Sequence, residues 1–324
     1  MNNPIENRQE ILFLYEAKDC NPNGDPLDEN RPRTDPESGV ATVTDVRIKR
    51  TIRDYLYEEK GLEILVRDTF ESDGTLRDGK GRATDFIAKS GVDTQAKLPQ
   101  LVEATTKTIL AECIDARMFG ATLPVQKGTK KSSIKLTGPV QFSAFNRSLH
   151  AVNPIFIQQT AAFASQKGAT QKSFAERWIL PYALIAGYGV VNEVAAKTTG
   201  LTDEDVKLLL EGLWRGTNNL NTHSKMGHQS LLLLRISYQP GIRIGALPER
   251  VHLVSDKQDT AIRSSQDYRV DITPLLGAIK AAHEKIVGVD VLQDNRLVLT
   301  ADGQRGSFAE LAQLVNIPIN SLEL

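Results

Sequence analysis

Glu10 to Ala17 reads EILFLYEA, and a run this apolar and this short is a strand buried on both faces. Working outward, Thr44 is suited to cap a helix that has Asp45 in its first turn and continues to about Tyr57. On its wheel Ile48, Ile52 and Tyr55 form an apolar stripe, while Lys49, Arg50 and Arg53 share an adjacent basic face. Trp178 to Val191 is predicted as a central strand and Leu231 to Tyr238 as the last one. The helix between them opens at Thr202, sets Asp203, Glu204 and Asp205 at its positive end, and reaches about Leu213.

The segments between these elements read as additions to them. Lys18 to Val43 is a long loop punctuated by Pro22, Gly24, Pro26, Pro32, Pro36 and Gly39, a length that is usually functional or disordered. Residues 60–112 look like an inserted unit with a helix at 99–111. Strand-like runs follow at Glu112–Phe119, Leu136–Phe145 and Val152–Thr160, with a lysine-rich loop at Gln126–Lys135. The polar stretch Ser165–Ser173 predicts the tip of a protruding hairpin. Helices are expected near 274–286 and 307–315. Without insertions the order is β-α-β-β-α-β, the split βαβ arrangement of ferredoxin-like and RNA-recognition folds, so the fold class is α+β. The sheet of such folds is a stage for single-stranded RNA.

Charge is divided along the chain. The total is 39 Lys and Arg against 40 Asp and Glu, yet residues 116–175 contain no acid while carrying Arg117, Lys127, Lys130, Lys131, Lys135, Arg147, Lys167 and Lys172. Gly212 to Pro248 repeats the pattern with Arg215, Lys225, Arg235 and Arg243. The two windows carry +12 and the remaining residues −13. A carboxylate-free basic surface suits a polyanion, because any acid there would repel phosphate and weaken counterion release. The windows are therefore expected to fold together into one continuous cationic track.

Other classes find little support. Cys20 and Cys113 are too few for a disulfide framework or a zinc site, and a reducing cytoplasm is the expectation. The first residues do not read as a signal peptide, and the longest apolar stretch, broken by Pro181, Gly187 and Gly189, is too short to span a membrane. Asp19-Cys-Asn21-Pro-Asn23-Gly24 opens like a calcium loop, but Asn30 stands where a bidentate Glu is needed and the segment follows a strand. Ser132 and Lys135 have a nucleophile-like spacing without partner motifs. His223 and His228 lack a neighbouring Glu, so no metal site or cofactor is expected. Asn219 to Gln229 (NLNTHSKMGHQ) is instead rich in uncharged donors around Lys225. Of the phenylalanines at 119, 142, 145, 156, 163 and 174, most are expected in the core and one or two near the hairpin tip against bases.

CNPNGDP (20–26), NRPRTD (30–35), TDVRIKRTIRDYL (44–56), DARMFGA (115–121), LTGPVQFS (136–143), RSLH (147–150), PYALIA (181–186), TGLTDEDV (199–206) and NTHSKMG (221–227) follow one another in a specific order. From about residue 8 to 240 the chain resembles the CRISPR-associated protein seven family of the RAMP superfamily, the backbone subunit of the Cascade surveillance complex. The details are similar to its subtype I-B (Csh) branch. The resemblance implies an RNA-recognition-like palm, a helical finger at 60–112, a thumb hairpin at 155–177 and C-terminal helices over 250–324. It also implies that copies polymerise along a CRISPR guide RNA and present its bases to a target DNA strand. The other Cascade partners would be the large subunit, the five-family subunit and the guide-processing endonuclease. Guide contacts are expected at Asn21, Asn23, Arg47, Lys49, Arg50, Arg53, His223 and Lys225, besides Arg117 and the lysines of the first window. The chain is expected not to be an enzyme. A metal-dependent target-RNA endoribonuclease, as in type III relatives, is the alternative, with Asp19, Asp25, Asp28 and Asp35 in the loop after the first strand.

Overall fold

A computed structural model describes residues 3–93, 95–160 and 174–324. The predicted tip at Ser165–Ser173, with Lys167, Lys172 and the nearby Phe163, lies outside the described residues. The first strand, β1 (Arg8–Cys20), is covered on both sides as its composition requires. Ile11, Phe13, Tyr15 and Ala17 face one core, and Leu12 and Leu14 face another. Helix α1 (Asp45–Glu58) starts where predicted, with the Thr44 hydroxyl accepting from the Arg47 amide at 3.4 Å. Ile48, Ile52 and Tyr55 are buried.

Four more principal elements complete the sheet and its helices: β2 (Phe145–Ala151), β3 (Phe174–Val191), α2 (Asp203–Asn218) and β4 (His228–Tyr238). In the sheet they lie in the order β4-β1-β3-β2, each antiparallel to its neighbour. β5 (Ile286–Gln293) extends the sheet beyond β4, and Val40–Thr44 extends it beyond β2. α1 and α2 cover one face through Ile52, Leu56, Leu209, Leu210 and Leu213. Each fully buried side chain of this kind contributes roughly 1.5–3 kcal/mol.

The second face is covered as well, which corrects the expectation that the sheet offers an open stage. Leu232, Leu234, Ile236 and Tyr238 of β4 pack there against Leu247, Val251, Val270, Leu275, Phe308 and Leu311. The C-terminal region is not chiefly helical. It holds two short helices, Thr273–Ala281 and Phe308–Gln313, beside a sheet of His252–Val254, Arg269–Asp271, Leu299–Ala301 and Gln304–Gly306. Strands of three residues are too short for a period to register in sequence.

Other boundaries shift for similar reasons. Ile114–Phe119, expected as strand, is a helix in which Ile114, Asp115, Ala116, Met118 and Phe119 are all buried, so it has no amphipathic signature. The lysine-rich loop is a hairpin, Gly120–Lys127 with Lys130–Thr137. The run Leu136–Phe145 breaks into Val140–Phe142 and the start of β2. The long loop after β1 is tied by pairing of Gly24–Asp25 with Arg31–Pro32. α2 runs on past Leu213 to Asn218. Between α1 and β2, the helices Gly79–Lys89 and Leu98–Glu112 and the lysine hairpin share a separate core of Leu65, Phe86, Ile109, Leu123 and Ile134.

Candidate nucleic-acid interface

Where β1 ends, its backbone and the segment 219–228 are drawn together. Lys18 N donates to Gly227 O at 2.9 Å, and a Cβ on Gly227 would lie 1.7 Å from Lys18 O, so only glycine fits. Asn21 N donates to Ser224 O at 2.9 Å, its side-chain amide to Asn30 O at 2.6 Å, and Lys225 Nζ reaches the Asn21 carbonyl. Asn23 Oδ1 accepts from both the amide (2.8 Å) and the hydroxyl (3.0 Å) of Thr44, which fixes the start of α1. Two of the predicted contact residues, Asn21 and Asn23, thus shape the loop itself.

This arrangement half-buries cations without matching them to acids. Arg47 donates to Thr51 Oγ1 at 3.0 Å, and the nearest carboxylate, on Asp54, stands 3.9 Å away. Burial lowers the pKa of Arg47, and burial together with the Arg47 charge lowers that of Lys225 to about 8. His228 beneath them is held neutral by burial, its pKa pushed down to about 4. Among the described residues, Arg47 Nε, Arg31 Nε, Arg33 Nε, Arg177 Nε, Trp178 Nε1 and Asn21 Oδ1 are buried and find no hydrogen-bond partner. Native proteins rarely leave such groups unsatisfied, and six of the nine found among the described residues belong to these segments.

The ribbon formed by Ile155–Thr160 and the first half of β3 stands in the middle of this region. On one side Arg177 Nη1 donates to His223 Nε2 at 2.7 Å. On the other, the Arg31 guanidinium lies over the Trp178 ring at 4.8 Å, and the exposed Phe156 ring is 5.2 Å from Trp178. Aromatic side chains among arginines form the kind of surface on which single-stranded bases rest.

The remaining predicted contacts are distributed differently. Lys49 pairs with Asp45 (2.8 Å), Arg50 with Asp54 (2.6 Å) and Arg53 with the buried Asp115 (2.8 Å), so the basic face of α1 is largely matched within the fold. Arg117 binds both oxygens of Asp205 at 2.9 and 2.8 Å. Arg235 and Arg215 likewise find Asp290 and Glu211. The windows are acid-free in sequence, but acids from other segments reach into them. Lys130, Lys131 and Lys135 are exposed on the hairpin, and Lys127 donates to Ala96 O at 2.7 Å. The expected single track is therefore divided between the sheet region and the inserted unit. Arg31, Arg33, Arg177 and Trp178 were not singled out in the sequence, although NRPRTD carries two of them.

Among the described residues no group of three or more His, Cys, Asp or Glu side chains is placed to hold a metal ion. Asp25 pairs with Arg33 (2.8 Å), and Asp35 caps the turn through Glu37 N (2.9 Å) and Ser38 N (3.0 Å). Ser132 and Lys135, three apart on a strand, point to opposite faces. Among the described residues no helix is long and apolar enough to cross a membrane.

The family model described as CRISPR-associated protein Cas7 matches residues 7–273. A protein of Haloferax volcanii described as "CRISPR-associated protein Cas7" is 32% identical over 313 residues, which is 90% of this chain and 88% of that one. Among solved structures, a chain of a "CRISPR RNA-guided surveillance complex, pre-nicking" superposes with a TM-score of 0.55 at 13% identity, covering 95% of this chain and 99% of that one. A chain of another "CRISPR RNA-guided surveillance complex" gives 0.51 at 15% identity over 95% and 98%. The structural likenesses bear on the fold.

Proposed function

Because the chain belongs to the CRISPR-associated protein Cas7 family, we propose that it is a non-catalytic backbone subunit of a type I-B surveillance complex that holds the guide RNA by its phosphates. Copies would line up along the RNA, beside the large subunit, the five-family subunit and the guide-processing endonuclease, and leave base edges free to pair with target DNA. The β4-β1-β3-β2 sheet with its two helices would be the RNA-recognition-like palm. The unit between α1 and β2, hairpin included, would be the finger, and the ribbon Ile155–Thr160 with the start of β3 the base of the thumb. The C-terminal layer would belong to the palm.

One observation carries the reading: cations and N–H donors at Arg31, Arg47, Arg177 and Lys225 that the fold half-buries and, among the described residues, leaves without a carboxylate in hydrogen-bond reach. Phosphate supplies the missing oxygens and charge, and phosphate contacts carry no sequence information, as variable guides require. His223, Asn21 and Asn23 would hold these groups in place. Lys127, Lys130, Lys131 and Lys135 would meet nucleic acid from the finger, and Lys49 and Arg50 could exchange their local acids for phosphate. The test is a salt titration of guide-length RNA binding with Arg47→Gln combined with Lys225→Gln. The slope of log K against log salt is expected to fall by about 1.4, at ~0.7 per phosphate contact, equally for unrelated sequences. An unchanged slope, or a loss confined to some sequences, overturns the phosphate assignment.

A further inference from the structure

Beside β2 lies a groove of about 430 Å³ that the reading above does not use. One wall is β2, whose alternation turns Asn146, Ser148 and His150 inward and leaves Phe145, Arg147 and Leu149 facing out. The other wall is the segment 243–249. That segment is held by Glu10, a fully buried carboxylate on β1, which accepts from Ile244 N (2.9 Å), Gly245 N (3.0 Å), Tyr238 Oη (2.6 Å) and the Tyr188 hydroxyl. Ala246 sits in the left-handed region at φ 50°, a conformation that such anchoring sustains.

The groove's charges are unmatched. Arg147 and Arg243 are exposed and have no carboxylate partner among the described residues, whereas Arg117, Arg215 and Arg235 of the same acid-free windows each have one. Glu249 is the one acid lining the groove. Phe145, 53% exposed, lines this groove and also the neighbouring one, where Arg31 and Arg33 stand with Asp25, Asp28 and Asp35. It thus connects the two.

We propose that the single strand held near Arg31, Arg47 and Lys225 continues across Phe145, which stacks on a base, and that Arg147 and Arg243 take its following phosphates. This rests on the guide-binding reading and extends it along the strand. The groove's size lies within the range of small-ligand sites, room enough for one nucleotide unit. Aromatic stacking beside arginines needs no particular base.

The test uses the full chain, guide-length RNA substituted with 5-iodouridine, and the double variant Arg147→Gln/Arg243→Gln. Both side chains are exposed, so thermal melting should match the parent. The salt slope is expected to fall by about 1.4, which makes the variant ~7-fold less salt-sensitive across a fourfold salt increase. Irradiation of the parent should attach RNA to the tryptic peptide 136–147, and Phe145→Leu should abolish that product. If the slope and the cross-link are unaffected while Arg47→Gln/Lys225→Gln still lowers the slope, the extension is wrong and the guide-binding reading stands. If neither pair changes the slope, both fail. Failure of the extension together with loss of binding to another protein chain would assign the groove to an acidic protein segment instead.

Discussion

Lys225 is the residue whose protonation decides most. Its ammonium is held below its ordinary pKa, at about 8, by burial and by Arg47, because the fold supplies no acid beside it. Between pH 8 and the unfolded value of 10.5 the unfolded chain keeps a proton that the folded chain has lost, so the free protein should gain stability with rising pH in that window. RNA affinity should move the opposite way, falling from pH 7 to 9 as the ammonium is lost, and Lys225→Gln should flatten the profile in a binding titration. Arg53 behaves differently. It is tied to Asp115, which also accepts from Leu65 N (2.6 Å) and Val66 N (3.2 Å) and so pins the inserted unit to α1. Arg53→Ala is expected to cost about 2–4 kcal/mol of stability in chemical denaturation, with affinity per folded molecule nearly unchanged. The sequence could place both residues on basic elements. It could not say which one has an internal acid, since Asp115 lies 62 positions away.

At the scale of elements, the segment 219–228 and the end of β1 depend on a contact without side-chain space. Gly227→Ala would force apart the backbones joined at Lys18 and Gly227, displacing Lys225 and His228 with them. The expected cost is about 2–4 kcal/mol by thermal or chemical unfolding, together with a loss of RNA binding in the fraction that remains folded. β1, β3, β4 and α1 were legible because each is long and carries either a continuous apolar run or a capped amphipathic stripe. The Ile114–Phe119 helix and the small C-terminal strands were not, since a wholly buried or three-residue segment has no period to read. The lysine hairpin hid for another reason. Its inward alternation, Leu123, Val125 and Ile134, is interrupted by the lysines that suggested a loop.

For the whole molecule, the divided charge of the sequence is the basis for expecting a polyanion partner, and the fold redistributes that charge. Many cations of the acid-free windows are neutralised across the fold, and the unmatched ones are set by which residues happen to lack an acid in three dimensions. Asp25 and Asp35 of the loop after β1 are engaged by Arg33 and by turn amides. Guide-loaded protein given complementary RNA and Mg²⁺ should therefore leave that RNA intact over hours on a denaturing gel. Cleavage abolished by Asp25→Ala or Asp35→Ala would instead establish the ribonuclease alternative.

The layer over the second face of the sheet has a consequence for anyone who shortens the chain. The match to the family ends at residue 273, while Leu275, Leu276, Ile279, Phe308 and Leu311, which seal Leu12, Leu14 and Leu234, lie beyond it. Trimming the protein to that boundary would strip the lid from an oily floor, and the fragment would clump before it met any nucleic acid.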